Sequence, residues 1–292
     1  MNERNRRRLA WAIFALAALA AGAGIAMLAS GHATETALDD KFLAEHGIRH
    51  WVIVRDRPRV ERIHHVVVDL ADPHVGLDVV PSDKPPDPAT GQLTPPKKLA
   101  ECTGTAVFIN ANPWTTLAGS PQGAWTEDQP VRMLGMVVAG GVVRSPPSSY
   151  NCGFYVDRAG RAHIGNPDNV AEVREGIAGF LRLIDSGRIL PVAKPGEKPQ
   201  PRTALGLDAT GRYLTILVVD GRQERFSMGM TYSELADYMS SLGCFDAVNL
   251  DGGGSSILLL AGAKGTLRVV SSPCDPPARP IPVGLAVRLN PR

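Results

Sequence analysis

The chain has 292 residues, 31 basic and 29 acidic, for a net charge of +2, which is long enough for a substantial core and one or two domains. Four of the basic and one of the acidic residues fall in the first eight positions, leaving a near-neutral 27 against 28 in the rest. No basic stripe remains to hold nucleic acid, and that class of partner is excluded.

In chain order, Arg4, Arg6, Arg7 and Arg8 precede an uncharged, mostly Ala/Leu run of 21 residues ending at Ala29. A basic cluster before such a run marks an export signal, and its length nearly matches the roughly 20 residues that span a bilayer. Gly31-His32-Ala33 offers a small-x-small cleavage site. Positions 1–33 are therefore expected to be a signal peptide or an uncleaved membrane anchor. The rest of the chain would then face the periplasm or exterior, or be secreted if cut near Ala33. Residues 34–50 read as linker or a short helix, and 51–292 as one globular domain.

Stretches 51–54, 63–70 and 77–80 are rich in β-branched residues and predict strands. Six of the seven histidines lie between His32 and His74, a dispersed set that reads as structural or solvent-facing. The span 81–98 is dense in Pro, Asp, Lys and Gly and reads as a long surface loop with no regular element. A strand is expected at 105–110, a hairpin around Gly140-Gly141, and a second around Asp157-Arg158-Ala159-Gly160. Mixed apolar spacing over 170–190 suggests one or two helical turns, followed by a Pro/Lys loop at 191–201.

Strands at 203–207 and 213–219 are joined by Asp208-Ala209-Thr210-Gly211. Folding about that turn brings Arg202 and Asp220 to the same open end. Thr231 and Glu234 make a capping box, Leu235, Tyr238, Met239 and Leu242 repeat at helical spacing, and Gly243 is a natural stop. A strand at 247–250 leads into three glycines, a hairpin surrounds Gly262–Gly265, and an alternating strand is expected at 283–289. Many short strands with few helices predict an α+β domain on a mixed, largely antiparallel sheet.

Cys102, Cys152, Cys244 and Cys274 form an even set in a chain that reads as exported, so disulfides are expected. Cys244 and Cys274 flank the glycine run, where a bridge would brace it. The absence of any C-x-x-C pair gives zinc little support.

Four segments carry the chemistry: Pro201-Arg202-Thr203-Ala204-Leu205-Gly206, Val219-Asp220-Gly221-Arg222, Gly229-Met230-Thr231 with Glu234-Leu235, and Asn249-Leu250-Asp251-Gly252-Gly253-Gly254-Ser255-Ser256. Three glycines forfeit backbone entropy and packing, which suits a positive-φ turn or close approach of a ligand to the main chain. In this order and spacing the segments resemble the phosphodiester glycosidase family, and Ala278-Arg279-Pro280-Ile281-Pro282 resembles its closing segment. The carboxyl-terminal third carries the likeness; positions 60–190 match only in outline.

The resemblance implies hydrolysis of a sugar-1-phosphodiester at the glycosidic bond, releasing the sugar and a phosphomonoester. Such a site must stabilise phosphate charge and an oxocarbenium-like centre. Arg202 is the expected phosphate clamp. The N–H groups of Gly252, Gly253 and Gly254 and the hydroxyls of Ser255 and Ser256 are the expected further donors. Asp220 and Asp251 are the two candidate carboxylates, one as base or nucleophile and the other as orienter, acid or metal ligand. Asn110 and Asn249 would hold sugar hydroxyls or those carboxylates. The residues identify no cofactor with certainty, and a calcium- or magnesium-like cation on Asp251, Asn249 and carbonyl oxygens fits the residue types. Two other readings stay open: a non-catalytic carbohydrate- or phosphate-binding envelope protein for exopolysaccharide assembly, and a phosphatase cleaving P–O.

Overall fold

The computed structural model describes residues 33–37 and 41–289, apart from positions 84, 86, 88, 89, 103, 121, 122, 124, 149–151, 263 and 264. The expected signal or anchor lies almost wholly outside these residues. Among the described residues no helix is long and apolar enough to cross a membrane.

The centre is a hairpin, β16 (Arg202–Leu207) and β17 (Tyr213–Val219), buried along its whole length. Its turn is closed by Asp208, whose carboxylate accepts from the Tyr213 and Thr210 amides at 2.8 and 3.2 Å, while Gly211 takes φ +68°. An eight-stranded antiparallel sheet grows from it. On one side stand β3 (Glu61–Asp69), β2 (Ile48–Arg55) and β1 (Ala33–Ala37). On the other stand β18 (Asp246–Asn249), β14 (Leu181–Asp185) and β15 (Arg188–Ile189). Successive side chains of these strands serve opposite faces, as the two-residue period of a strand requires. Leu205, Leu207, Ile216 and Val218 enter one core, and Ala204, Leu217 and Val219 another.

The first core is shared with two five-stranded sheets. One runs β20 (Leu267–Val269), β19 (Leu258–Ala261), β6 (Thr105–Asn110), β21 (Val283–Leu289) and β4 (Val75–Pro81). The other runs β10 (Val142–Ser145), β9 (Val137–Ala139), β13 (Val173–Ala178), β11 (Gly153–Asp157) and β12 (Ala162–Gly165). A three-stranded sheet of β5 (Gly91–Gln92), β8 (Pro130–Met133) and β7 (Trp114–Thr116) completes the set.

Helices cover the outer faces. Helix α1 (Lys41–Glu45) buries Leu43 in the shared core, and α2 (Pro96–Ala100) seats Leu99 and Ala100 beside Phe108 and Leu259. Helix α3 (Tyr232–Ser241) opens on the Thr231/Glu234 capping box and stops before Gly243, at φ +83°. It buries Leu235, Ala236 and Met239 against the second core. Leu235 and Met239 each contribute about 2 kcal/mol by this burial. Gly206 is required here, because a Cβ would strike Cys244 Sγ and lie 2.8 Å from Met239 Cε.

These findings correct several expectations. The balance is closer to all-β than to α+β, since among the described residues three short helices serve four largely antiparallel sheets. The 170–190 stretch holds one 3₁₀ turn, Val170–Glu172, and is otherwise the strands β13 and β14. Its mixed spacing reflects strands buried unevenly on both faces. Residues 34–50 supply β1, α1 and the start of β2. The 81–98 loop carries β5 and opens α2, where Pro96 occupies a first-turn position that needs no N–H. All four cysteines are free. Cys244 belongs to the core under α3, whereas Cys274 lies beside Asp275 on another segment, so the expected bridge is not formed.

Candidate active site

Arg202 starts β16, Asn249 ends β18, Asn110 ends β6 and Asp220 follows β17 directly, so all four gather where these strands end. Between them runs the glycine turn. Leu250 N–H donates to Thr203 O at 2.8 Å, Asp251 N–H to Ala111 O at 3.0 Å, and Gly253 N–H to Pro201 O at 2.9 Å. Residues Gly253–Ser255 form a 3₁₀ turn with Gly253 at φ +60°. A Cβ on Gly252 would lie 2.8 Å from Pro201 O. The turn is thus a fixed wall rather than a loose connection. Its amides are largely committed: Gly252 N–H donates to Asp251 Oδ1 at 3.0 Å and Gly253 N–H to Pro201. The Gly252 and Gly253 amides, expected with that of Gly254 as further donors, thus already have acceptors within the protein.

Asn110 is 1% exposed and makes three hydrogen bonds. Its Nδ2 donates to Asp251 O at 2.7 Å, and its Oδ1 accepts Thr203 Oγ1 at 2.8 Å and Ile257 N at 3.1 Å. It holds the two ends of the glycine turn with one of its two Nδ2 hydrogens and its Oδ1. Asn249 Nδ2 donates to Leu250 O at 2.6 Å. The Asn249 Oδ1 and Ser256 Oγ atoms are buried with no hydrogen-bond partner, while the Ser255 hydroxyl attends the Asp251 carboxyl. Buried polar atoms in that state are uncommon and concentrate where a ligand or ordered water completes them.

The half-buried Asp251 carboxyl is pushed up to about 6. Burial drives the shift; the nearby Ser255 hydroxyl, the Gly252 amide and Arg279 oppose it. A carboxyl poised near 6 exchanges protons readily around neutral pH, as acid–base catalysis requires.

The Asp220 carboxylate keeps different company. Oδ1 accepts Ser272 N at 2.8 Å, while Oδ2 lies 3.4 Å from His64 Nε2 and 4.0 Å from Arg62 Nε. Behind it His64 Nδ1 meets His50 Nε2 at 3.2 Å. Burial, with His64 and His65 beside it, pushes His50 down to about 3, so this imidazole is neutral at pH 7. Asp220 therefore ties β3 to the 272 segment.

Arg202 does not pair with it. Its guanidinium lies 3.8 Å from the Tyr232 ring centre, donates through Nε to Met230 O at 2.9 Å, and pairs through Nη2 with Glu197. At 5% exposure and with these partners it is the least available cation at this end of the fold.

Two other arginines reach the turn. Arg222, at φ +60°, anchors Nε on Gln200 Oε1 at 2.7 Å; a Cβ on Gly253 would lie 3.0 Å from its Nη2. Arg279 is held by Asp275, with Nε 2.9 Å from Oδ2, and both would clash with a Cβ on Gly254. Arg279 also sits 5.5 Å from the Trp125 ring centre, and Trp125 meets Trp114 edge-on at 5.0 Å. Arg222 adjoins Asp220-Gly221, and Arg279 stands in the closing segment. Their convergence on the glycines comes from tertiary contacts that their local sequence does not announce.

Among the described residues no group of three or more His, Cys, Asp or Glu side chains converges to hold a metal. A cation here would rest on Asp251 with neutral oxygens such as Asn249 Oδ1.

The glycine turn thus carries a raised carboxyl with Arg279 near it, Arg222 against Gly253 and the unpaired Ser256 hydroxyl. The chain belongs to the phosphodiester glycosidase family, whose model matches residues 116–288. That span includes Arg202, Asp220, Arg222, the whole glycine turn and Arg279. Membership supports a hydrolase. No curated protein matches by sequence. Among solved structures, a hypothetical protein from Synechocystis is similar with a TM-score of 0.62 and 16% identity, over 84% of this chain and 62% of that one. This chain thus spans less than two thirds of that protein's length. The catalytic domain of zebrafish N-acetylglucosamine-1-phosphodiester α-N-acetylglucosaminidase, auto-inhibited by its pro-peptide, is similar with a TM-score of 0.58 and 20% identity, over 90% of this chain and 83% of that one. At these identities the likeness concerns the fold.

Proposed function

We propose that the protein hydrolyses the glycosidic bond of a sugar-1-phosphodiester, of the N-acetylglucosamine type or a related sugar, in an envelope polysaccharide or glycoconjugate. The observation that carries this reading is the Asp251 carboxyl, pushed up to about 6 at the glycine turn beside Arg279. Water attacks the anomeric carbon, the C–O bond to phosphate breaks, and the phosphomonoester departs with the bonding pair. A phosphomonoester is a good leaving group, so the site's main work is to stabilise charge and to move one proton. Ionised Asp251 takes the proton of the attacking water. The Gly252 amide and the Ser255 hydroxyl hold that carboxylate, Asn110 holds the Asp251 main-chain oxygen, and Ser256 and Asn249 Oδ1 supply hydrogen bonds to the sugar. Trp125, braced by Trp114, offers an aromatic face at the rim. Asp220 and Arg202 act through the segments they fix. The arginine-led apolar segment before Ala33 supports export, by cleavage or as an anchor.

Incubation with an α-N-acetylglucosamine 1-phosphodiester tests the proposal. Free sugar from the wild type and none from Asp251→Asn is the expected result. No free sugar with any of several α-sugar diesters, or equal turnover by Asp251→Asn, would sink it.

A second reading, a non-catalytic binder of anionic carbohydrate, draws on one specific observation. The Asp220 and Asp251 carboxyls keep separate partners, so only one of the two candidate carboxylates lies among the glycine-turn groups. Retained binding without turnover would favour it.

A further inference from the structure

We infer that Arg222 and Arg279 together form the anion subsite, and that it takes a singly charged phosphodiester in preference to a doubly charged phosphomonoester. This rests on the proposed substrate class but assigns the charge recognition to residues that the family resemblance did not single out for it.

Three observations carry it. Both guanidiniums reach into space that a side chain on the turn would fill: Arg222 Nη2 and Nη1 would lie 3.0 and 3.4 Å from a Cβ on Gly253, and Arg279 Nη2 would clash with one on Gly254. Glycine at these positions keeps the guanidiniums against the main chain. Both are also held before any ligand arrives, Arg222 by Gln200 Oε1 and Arg279 by Asp275 Oδ2, which lowers the entropy lost on binding. Finally, Ser256 Oγ, in a residue only 4% exposed, is an unpartnered donor on the same turn.

The charge balance sets the preference. Arg279 is offset by Asp275, whereas among the described residues no carboxylate pairs with Arg222, whose neighbours are Gln200 and the Cys274 thiol. The subsite therefore presents about one net positive charge beside Asp251. A diester carries one negative charge at all working pH values. A monoester acquires a second near pH 6, which Asp251 then repels. The product would leave more readily than the substrate binds.

The test needs no sugar. Diphenyl phosphate and phenyl phosphate are titrated into the full-length protein at pH 7.5 by calorimetry. Diphenyl phosphate should bind at least ten-fold more tightly than phenyl phosphate. Arg222→Gln should weaken it at least ten-fold and flatten its salt dependence, while the nearby exposed Arg225→Gln should leave it unchanged. Arg222 is exposed, so its variant should keep the wild-type melting temperature. Equal affinity of Arg222→Gln and wild type, tighter phenyl phosphate, or no binding of either compound overturns the inference. Binding as expected with no sugar released from any diester would leave this subsite standing and count against the glycosidase reading alone.

Discussion

The Asn110 side-chain oxygen accepts the Thr203 hydroxyl at 2.8 Å, joining the end of β6 to the start of β16. The same oxygen receives Ile257 N, and the amide nitrogen holds Asp251 O, so one side chain ties two facing sheets to both ends of the glycine turn. Removing it strands three buried groups, each costing about 1–3 kcal/mol. Asn110→Ala is expected to lower stability by about 2–5 kcal/mol in urea unfolding, and Thr203→Val by less. A double-mutant cycle between them should show coupling of at least about 0.5 kcal/mol. Additive effects would deny the connection.

Asp251 makes stability depend on pH in a definite direction. Its folded value, about 6, lies above the ordinary carboxylate value. Its contribution is therefore fully present below about pH 4 and is lost as the pH rises through about 6. The loss is at most about 3 kcal/mol. Asp251→Asn should melt higher than wild type at pH 8 and at nearly the same temperature at pH 4. A variant less stable at pH 8 would show that burial does not dominate this carboxyl. In turnover, kcat/KM should rise with an apparent pKa near 6 if ionised Asp251 is the base.

Glycines 206 and 254 are required for different reasons. Gly206→Ala overpacks the core against Cys244 and Met239 and should cost about 1–3 kcal/mol with the site intact. Gly254→Ala displaces the Asp275–Arg279 pair instead and should raise KM far more than it lowers the melting temperature. Steady-state kinetics beside thermal melting separates the two.

Arg202 is buried against Tyr232 and paired with Glu197. Arg202→Met leaves Glu197 without its partner and should destabilise the fold by about 3–5 kcal/mol; adding Glu197→Gln should recover part of that. If refolded Arg202→Met keeps wild-type stability and loses only substrate affinity, Arg202 touches phosphate after all.

The thiols offer a simple check. With four free cysteines, Ellman titration of the unfolded protein without reductant should count four. In the native state Cys244, pushed up to about 12 by burial, should be the slowest to react. Fewer than four thiols would restore a bridge.

Much of the β-framework was legible, because hairpins announce themselves through Gly-bearing turns between β-branched runs. The Asp208–Gly211 and Gly140-Gly141 turns and the Thr231/Glu234 capping box all stand where their local chemistry puts them. The misread stretches lacked such chemistry. Strands β13 and β14 are buried on parts of both faces, so neither helical nor alternating spacing shows clearly. Helix α2 hides in a Pro/Lys-rich span because Pro96 starts a helix as readily as it ends one. At the site, the turn and Asp251 could be read from residue types alone. The roles of Arg222, Arg279 and Trp125 could not, since each depends on a partner tens of residues away or on a glycine that only the fold brings beside it.

The most direct test of the central claim is where the oxygen of water goes. The full-length protein is incubated with an α-N-acetylglucosamine 1-phosphodiester in heavy-oxygen water, and both products are analysed by mass spectrometry. Cleavage at the glycosidic C–O bond places the heavy oxygen on the sugar and leaves the phosphomonoester unlabelled, which is the predicted outcome. Heavy oxygen in the phosphate, or sugar 1-phosphate as product, would mean that the P–O bond is broken and would contradict the account.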